Sequence, residues 1–249
     1  MSKSPYTNTN TTKWKNITID LVDKYPLSLN EILEISLVAW SKLWSTKVGQ
    51  TIEINEVELP APVVGYFFQK LFAHELSKRY PIKWRGESDK ADKDIVNLEN
   101  NYFSTEMKSS GQLGYKVFGN RSYCQKSDTP SKAKSGYYIT INFFEQTLTL
   151  VSIGWIDKED WNCQDAESGQ AATLPQEVYD YKLIKIHGKY QLKSPIALLN
   201  NVGKVTLLHL HNNSIFTFED IINYDGKDKK INNVIENNKD FLNILRQYI

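Results

Sequence analysis

Two carboxylates and one ammonium group lie close together in the middle of the chain, on Asp94, Glu106 and Lys108. Glu106 and Lys108 are separated by one residue within 102–108, a run that is typical of a β-strand. Because side chains alternate along a strand, both should point to one face, about 6–7 Å apart. Asp94 opens a second strand-like run, 94–98, which can pair with the first in a hairpin. The three side chains are therefore expected to converge at one edge of a sheet.

This set of side chains suits the hydrolysis of a phosphodiester. Mg²⁺ prefers oxygen ligands, and carboxylates can hold one or two such ions. A bound metal ion polarises the phosphate and lowers the pKa of a coordinated water. The lysine would orient that water or stabilise the developing charge, and it could act as a base only if its pKa were lowered. Since Glu-x-Lys also occurs by chance on solvated strands, the prediction depends on the strand-like flanks and on the basic segment that follows Lys108.

The connection over 109–135 is long, polar and basic. Between Met107 and Lys134 the chain has six Lys or Arg residues and one acid, Asp128. A local excess of positive charge favours binding to a polyanion such as DNA, although the net charge of the whole chain is only +1. Arginine and amide side chains can read bases, whereas lysines are better suited to phosphates. The candidate DNA-binding residues are Lys116, Asn120, Arg121, Ser122, Tyr123, Gln125, Lys126, Lys132 and Lys134.

A further carboxylate, that of Glu75, is predicted to lie on the apolar face of a helix. This helix should begin near Pro62, because proline suits a first helical turn, and end near Tyr80. An ionised carboxylate on an apolar face needs a cation. Glu75 could therefore complete the metal site, and the alternative is an ion pair with Arg79 one helical turn away.

Capping signals and hydrophobic periodicity predict an α/β fold with a central mixed sheet of about four or five strands and helices on both sides. Ser28 and Glu31 form a capping box, so a strongly apolar helix should follow and run to about Ser45. The remaining predictions are strands over 136–144, 147–155 and 205–211, and helices over 217–223 and 231–249.

The chain is expected to form one domain after a polar tail. Residues 1–15 are predicted to be a flexible tail. Residues 16–249 are predicted to form a single nuclease domain. Its parts would be N-terminal helices over 16–80, a catalytic core over 84–211 and C-terminal helices over 217–249.

Several features argue against other classes of protein. No run of about 18 apolar residues is present, so no membrane partner is expected. The N-terminus lacks the apolar core of a secretory signal. The chain has two cysteines, Cys124 and Cys163, so a disulfide framework is not expected and a cytoplasmic location is predicted. His209 and His211 have no Cys or acidic partner at zinc-site spacing, so they are predicted to mark a polar strand end.

The residues around Asp94 resemble a known nuclease core. The segment KDIVNLENNYFSTEMKSSG is similar to the D…E-x-K core of the PD-(D/E)xK nuclease superfamily, although Lys93 stands where that motif often has proline. A longer set of segments resembles type II restriction endonucleases of the ScaI-like family over about 58–205. These segments are PAPVVGYFFQKLFAHEL, STEMKSSG, GNRSYCQ, KSGYYITINFF and GWIDKEDW.

This resemblance implies a restriction-endonuclease-like fold and a Mg²⁺-dependent enzyme that cleaves double-stranded DNA at a short specific site. Such an enzyme usually acts as a homodimer and needs no nucleotide cofactor. The resemblance also implies that Asp94 and Glu106 bind the metal and that Lys108 is the catalytic lysine. Apolar residues before Pro62 or after Ile231 could supply the dimer interface. Two alternatives remain open: a repair or structure-specific nuclease, and a non-catalytic DNA-binding protein.

Overall fold

The computed structural model describes residues 4–120, 123, 133–163 and 172–249. The chain divides into two compact units. The sheet unit comprises Met1–Ser110, Lys116–Ile141 and Val151–Ile186. The helical unit comprises Gly111–Tyr115, Asn142–Leu150 and His187–Ile249. The candidate catalytic residues all belong to the sheet unit.

The regular elements of the described ranges are α-helices and short to medium strands. The helices are α1 (Trp14–Asp23), α2 (Leu29–Trp44), α3 (Ala61–Arg79), α4 (Lys204–Asn212), α5 (Phe218–Ile222), α6 (Lys229–Asn237) and α7 (Lys239–Arg246). The strands are β1 (Lys47–Val48), β2 (Ile52–Glu53), β3 (Trp84–Gly86), β4 (Ile95–Asn97), β5 (Thr105–Ser110), β6 (Gly136–Phe144), β7 (Thr147–Ile156) and β8 (Leu183–Ile186).

A mixed sheet with the strand order β3-β4-β5-β6-β7-β8 forms the centre of the fold, and β1 and β2 form a separate small pair. The predicted α/β class, a central sheet flanked by helices, is confirmed. The described sheet has six strands rather than four or five. The additional strands are β3 and the short edge strand β8, in segments where the sequence analysis predicts no strand.

The hairpin of β4 and β5 positions the candidate acids. Its antiparallel pairing sets Ile95 opposite Thr105. The turn of the hairpin contains a short 3₁₀-helix, Asn101–Phe103, and the Asn100 side chain caps this helix by accepting from Tyr102 N. Asp94 immediately precedes β4, and Glu106 follows the paired Thr105 on β5, so the register brings the two carboxyl groups to the same end of the hairpin.

The two faces of β5 have different environments. On one face, Thr105 Oγ1 lies 2.7 Å from Tyr25 Oη. On the same face, Gly65 of α3 packs so closely on Ser109 that a Cβ added to Gly65 would lie 2.0 Å from Ser109 Oγ. On the other face, Glu106 lies beside Tyr123. Strand alternation therefore separates Glu106 and Lys108 from the α3 face of the sheet.

Helix α2 begins at the predicted capping box, where Ser28 Oγ accepts from Glu31 N at 3.2 Å and the Glu31 carboxylate accepts from Ser28 N at 2.9 Å. Helix α3 carries Pro62 in its first turn, as predicted. It passes over β5 at Gly65 and over β3 at Ala73, where a Cβ on Gly86 would come within 3.3 Å of the alanine. The lack of a side chain at Gly65 therefore permits close packing of α3 on the sheet.

Three other predictions are wrong. The predicted strand over 205–211 is helix α4, because a short run of leucines and histidines does not distinguish the two states by periodicity. The helix predicted over 231–249 is two helices, α6 and α7, interrupted at Asn238. The prediction of a loose tail fails for residues 4–15, since Tyr6 is 5% exposed and α1 already begins at Trp14.

The helical unit has a core of its own. Its buried members come from 192–245 and include Leu210 of α4, Phe218 of α5, Val234 of α6 and Leu242 of α7. His209 lies on α4 rather than at a strand end, and its Nε2 is 3.0 Å from Asp228 Oδ2. Within the described ranges, no helix is long and apolar enough to cross a membrane. Cys163 is disulfide-bonded; a low cysteine count argues against a disulfide framework but not against a single bridge.

Candidate active site

Glu106 and Lys108 are in direct contact on one face of β5. Lys108 Nζ donates to Glu106 Oε1 at 2.7 Å and to the Met107 carbonyl oxygen at 3.1 Å. Their side chains are 9% and 14% exposed, so the pair is largely screened from water. The Glu-x-Lys spacing therefore produces the shared face that the sequence predicts.

Asp94 joins this pair across the hairpin. Its Oδ2 accepts from Met107 N at 2.7 Å, which holds the carboxylate against β5. Asp94 and Glu106 are only 6% and 7% exposed. The structure thus brings together the three residues that the sequence singles out, with two buried carboxylates beside one buried ammonium group.

The balance of charges keeps Lys108 protonated. Burial acts to lower the pKa of Lys108, but the negative charges of Glu106 and then Asp94 outweigh it, so the pKa lies above its usual range. In this arrangement Lys108 carries its positive charge beside the two carboxylates.

Two buried tyrosines lie next to Glu106. Tyr123 Oη is 3.5 Å from Glu106 Oε1 and 3.2 Å from Tyr138 Oη. Tyr138 donates to the Lys134 carbonyl oxygen at 2.5 Å. Burial, and then the charge of Glu106, raises the pKa of Tyr123, so its hydroxyl stays protonated and can donate.

Further lysines surround these rings. Lys108 Nζ and Lys134 Nζ lie 5.3 and 5.0 Å from the centroid of the Tyr123 ring. Lys93 Nζ lies 5.8 Å from the centroid of the Tyr138 ring. Burial, and then repulsion from Lys158, lowers the pKa of Lys134. Clustered cations of this kind favour an anion such as a phosphate nearby.

The predicted DNA-binding residues fall into three groups. Lys116 and Asn120 are exposed, and Lys134 is half-buried. Tyr123 is 7% exposed and packs 4.6 Å, centroid to centroid, from the Trp161 ring, so it does not lie on an exposed surface. Its hydroxyl instead contacts Glu106. Arg121, Ser122, Gln125, Lys126 and Lys132 lie outside the described residues.

Glu75 has a different cation from either one predicted. Its Oε1 pairs with Lys42 Nζ of α2 at 2.5 Å, whereas Arg79 pairs with Glu34. The hydrogen bond from Lys42 is the main cause that lowers the pKa of Glu75. Because α3 packs on the face of β5 opposite Glu106, the structure does not bring Glu75 together with Asp94 and Glu106. Periodicity identified the buried side of α3 but not the neighbouring helix that covers it.

The donors available for a metal ion are the oxygens of Asp94 and Glu106. Carboxylate oxygens suit a hard divalent cation, so the donor set fits Mg²⁺. No cluster of three or more His, Cys, Asp or Glu residues with metal-site geometry occurs in the described part of the chain. Two acids are enough for an ion that keeps several waters and also binds a substrate phosphate.

Sequence reasoning did not identify Tyr138 as part of this site. In the run GYYITI, alternation predicts that one of two adjacent tyrosines faces each side of the sheet, but not which. Tyr137 packs 4.9 Å, centroid to centroid, from Tyr25 on the α3 side, and Tyr138 lies with Tyr123 on the side of the acids.

Comparison with known proteins identifies relatives of this chain. The family model described as ScaI restriction endonuclease matches residues 4–187. The chain is 30% identical over 196 residues to the type II restriction enzyme ScaI of Streptomyces caespitosus, and the match covers 75% of this chain and 86% of the relative. The matched segment contains Asp94, Glu106 and Lys108.

Proposed function

Since the chain belongs to the ScaI restriction endonuclease family, and is thereby a type II restriction endonuclease, we propose that Asp94, Glu106 and Lys108 form its catalytic centre. The observation that carries this proposal is the direct contact of Lys108 with Glu106, next to the carboxylate of Asp94. A site-specific deoxyribonuclease must stabilise negative charge on a phosphate. A buried ammonium group beside two acids meets that need.

Type II restriction endonucleases generally use a divalent metal ion, and we propose that this ion is Mg²⁺, held by Asp94 and Glu106. When bound, Mg²⁺ supplies Lewis-acid stabilisation of the phosphate and acidifies a coordinated water. Met107 N supports Asp94 by donating to Oδ2, and Lys108 and Tyr123 direct donors at Oε1 of Glu106. These contacts orient both carboxylates before DNA arrives.

Lys108 acts in this scheme as a charged donor. Its ammonium group has three protons, of which one points to Glu106 and one to the Met107 carbonyl oxygen. The third can donate to an attacking water or to a non-bridging phosphate oxygen. Since the pKa of Lys108 is raised, the group remains charged while negative charge develops on the phosphate.

DNA contacts are proposed for the basic segment. The ammonium group of Lys134 lies over the ring of Tyr123, whose hydroxyl contacts Glu106, which suits a phosphate contact close to the scissile bond. Lys116 is proposed to contact phosphate further away, as are Lys126 and Lys132 on sequence grounds. Base reading is proposed for Asn120, Arg121, Ser122 and Gln125 from their side-chain chemistry.

A homodimer without a nucleotide cofactor is the proposed working form. Its proposed location is the cytoplasm, although Cys163 is disulfide-bonded, because a restriction endonuclease acts on DNA that has entered the cell. A palindromic DNA site has two-fold symmetry, and its two scissile phosphates require two active centres. The alternatives of a repair nuclease and of a non-catalytic DNA-binding protein do not suit a member of this family.

The test is a digest of a phage genome of known sequence, with Mg²⁺ present or chelated. We expect discrete fragments in Mg²⁺, and sequencing of their ends would identify the site and the cut position. Glu106→Gln should give no fragments under the same conditions. Random degradation, or full cutting by the Glu106→Gln variant, would contradict the proposal.

A further inference from the structure

Tyr123 sits between the proposed metal ligand and the rest of the buried polar network. Its hydroxyl contacts Glu106 Oε1 and Tyr138 Oη at 3.5 and 3.2 Å. Tyr123 is 7% exposed, so water competes little for these contacts. Its ring packs against Trp161 and belongs to a buried cluster that also contains Tyr179.

The direction of the hydrogen bonds follows from counting protons. Tyr138 has one hydroxyl proton and donates it to the Lys134 carbonyl oxygen at 2.5 Å. In the contact between the two hydroxyls, Tyr123 must therefore be the donor. Its single proton is shared between Tyr138 Oη and Glu106 Oε1, and a carboxylate is the stronger acceptor.

We propose that Tyr123 is a positioning residue that orients the Glu106 carboxylate for metal binding. Lys108 and Tyr123 both direct donors at Oε1, from the β-strand and from the buried cluster respectively. Two donors on one oxygen restrict rotation of the carboxylate. This proposal rests on the proposed function, in which Glu106 is a metal ligand.

The size of the effect follows from the length of the bond. Removing an outer partner of a metal ligand typically weakens metal affinity or activity by about 10–100-fold. At 3.5 Å the bond from Tyr123 is long, and such contacts tighten when the reactive complex assembles. A loss of about 10-fold, near the lower end of that range, is therefore expected.

Tyr123→Phe is the diagnostic variant, because it removes the hydroxyl and keeps the aromatic ring near the ammonium groups of Lys108 and Lys134. Tyr179→Phe is the matched control. Tyr179 belongs to the same buried cluster, but its hydroxyl contacts the backbone N and O of Val117, each at 3.1 Å. The Tyr179→Phe variant should have a lower thermal stability and an unchanged affinity for the metal ion.

The experiment measures the dissociation constant of Mn²⁺ for the full-length protein by electron paramagnetic resonance, together with the Mg²⁺ concentration at half-maximal cleavage. For Tyr123→Phe, we expect the dissociation constant and the Mg²⁺ concentration each to rise about 10-fold, while the affinity for DNA stays within two-fold of wild type. Both values should stay at the wild-type level for Tyr179→Phe. Wild-type metal binding by Tyr123→Phe, or equal shifts in the two variants, would overturn the positioning role.

The variant Glu106→Gln distinguishes the positioning role of Tyr123 from the proposal that Glu106 is a metal ligand. If Glu106→Gln loses Mn²⁺ binding and cleavage while Tyr123→Phe is unchanged, the positioning role alone is wrong. If Glu106→Gln keeps both, Glu106 is not a metal ligand and the positioning role is overturned with it.

Discussion

Lys182 is the cation of a buried ion-pair cluster that connects the N-terminal segment to the end of β7. Its Nζ lies 3.0 Å from Asp157 Oδ2 and 2.8 Å from Asp160 Oδ2, and its side chain is 3% exposed. The rings of Tyr6 and Trp14 lie 4.2 and 4.5 Å from the same atom. Lys182→Met would keep the apolar stem and leave both carboxylates without their cation.

The expected loss is large because the charges are buried. Removing one partner of a buried ion pair typically costs about 3–5 kcal/mol, and for a chain of this length that is roughly 6–20 °C in Tm. Lys47→Met is the matched control, since Lys47 pairs with Glu53 at 2.7 Å but its side chain is 54% exposed. That change should cost at most about 1 kcal/mol.

The pH dependence gives a second readout. Burial raises the pKa of Asp160, and Lys182 offsets this only in part. Because the pKa of Asp160 is raised in the folded state, the contribution of Asp160 to stability is fully present below its unfolded-state pKa, about 4. This contribution is lost as pH rises through the folded-state pKa. Without Lys182 the pKa of Asp160 should rise further. The loss in free energy of unfolding of Lys182→Met should therefore be smallest near pH 4 and grow towards pH 7.

Urea unfolding of wild type, Lys182→Met and Lys47→Met across pH 4–8 would measure these differences. Asp160→Asn should restore part of the loss in the Lys182→Met background, because it removes one of the two uncompensated charges. Equal stability of the two lysine variants at pH 7, or a deficit that grows towards acid pH, would refute the reasoning.

Three further predictions concern the sheet and the DNA contacts. Gly65→Ala should lower the free energy of unfolding by about 1–3 kcal/mol and slow cleavage, because the new Cβ would lie 2.0 Å from Ser109 Oγ. Adding Ser109→Gly to this variant should restore part of the stability and part of the cleavage rate. Lys134→Ala should weaken binding to specific and random DNA alike and reduce the salt slope by about 1, as measured by fluorescence anisotropy. Arg121→Ala should instead cost about 1–3 kcal/mol on specific DNA alone, and equal losses on random DNA would reassign it to phosphate binding.

Local spacing was sufficient to predict the centre of the site. Glu106 and Lys108 share a face because strand alternation depends only on the number of residues between them, and Asp94 joins them through an adjacent hairpin. The capping box at Ser28 and the proline at the start of α3 likewise act within one helical turn, so the sequence predicts both helix starts.

Contacts between distant segments could not be predicted in this way. Glu75 has its cation on another helix, at Lys42, and no pattern within α3 indicates that partner. Tyr123 lies in a polar, basic segment whose composition suggests a surface role, whereas tertiary packing buries it against Trp161. The strands β3 and β8 have only three and four residues, which is too short for a periodicity signal, and they form by pairing with β4 and β7.

The most direct test of the catalytic assignment is the single-turnover cleavage rate of Lys108→Met, with saturating enzyme and Mg²⁺ on DNA that carries the mapped site. Loss of a buried charged donor to the reacting phosphate should slow cleavage by about 10²–10³-fold or more. DNA affinity should stay within a few-fold of wild type, and Lys47→Met should cleave normally. A Lys108→Met enzyme that binds and cleaves this DNA at the wild-type rate would contradict the account.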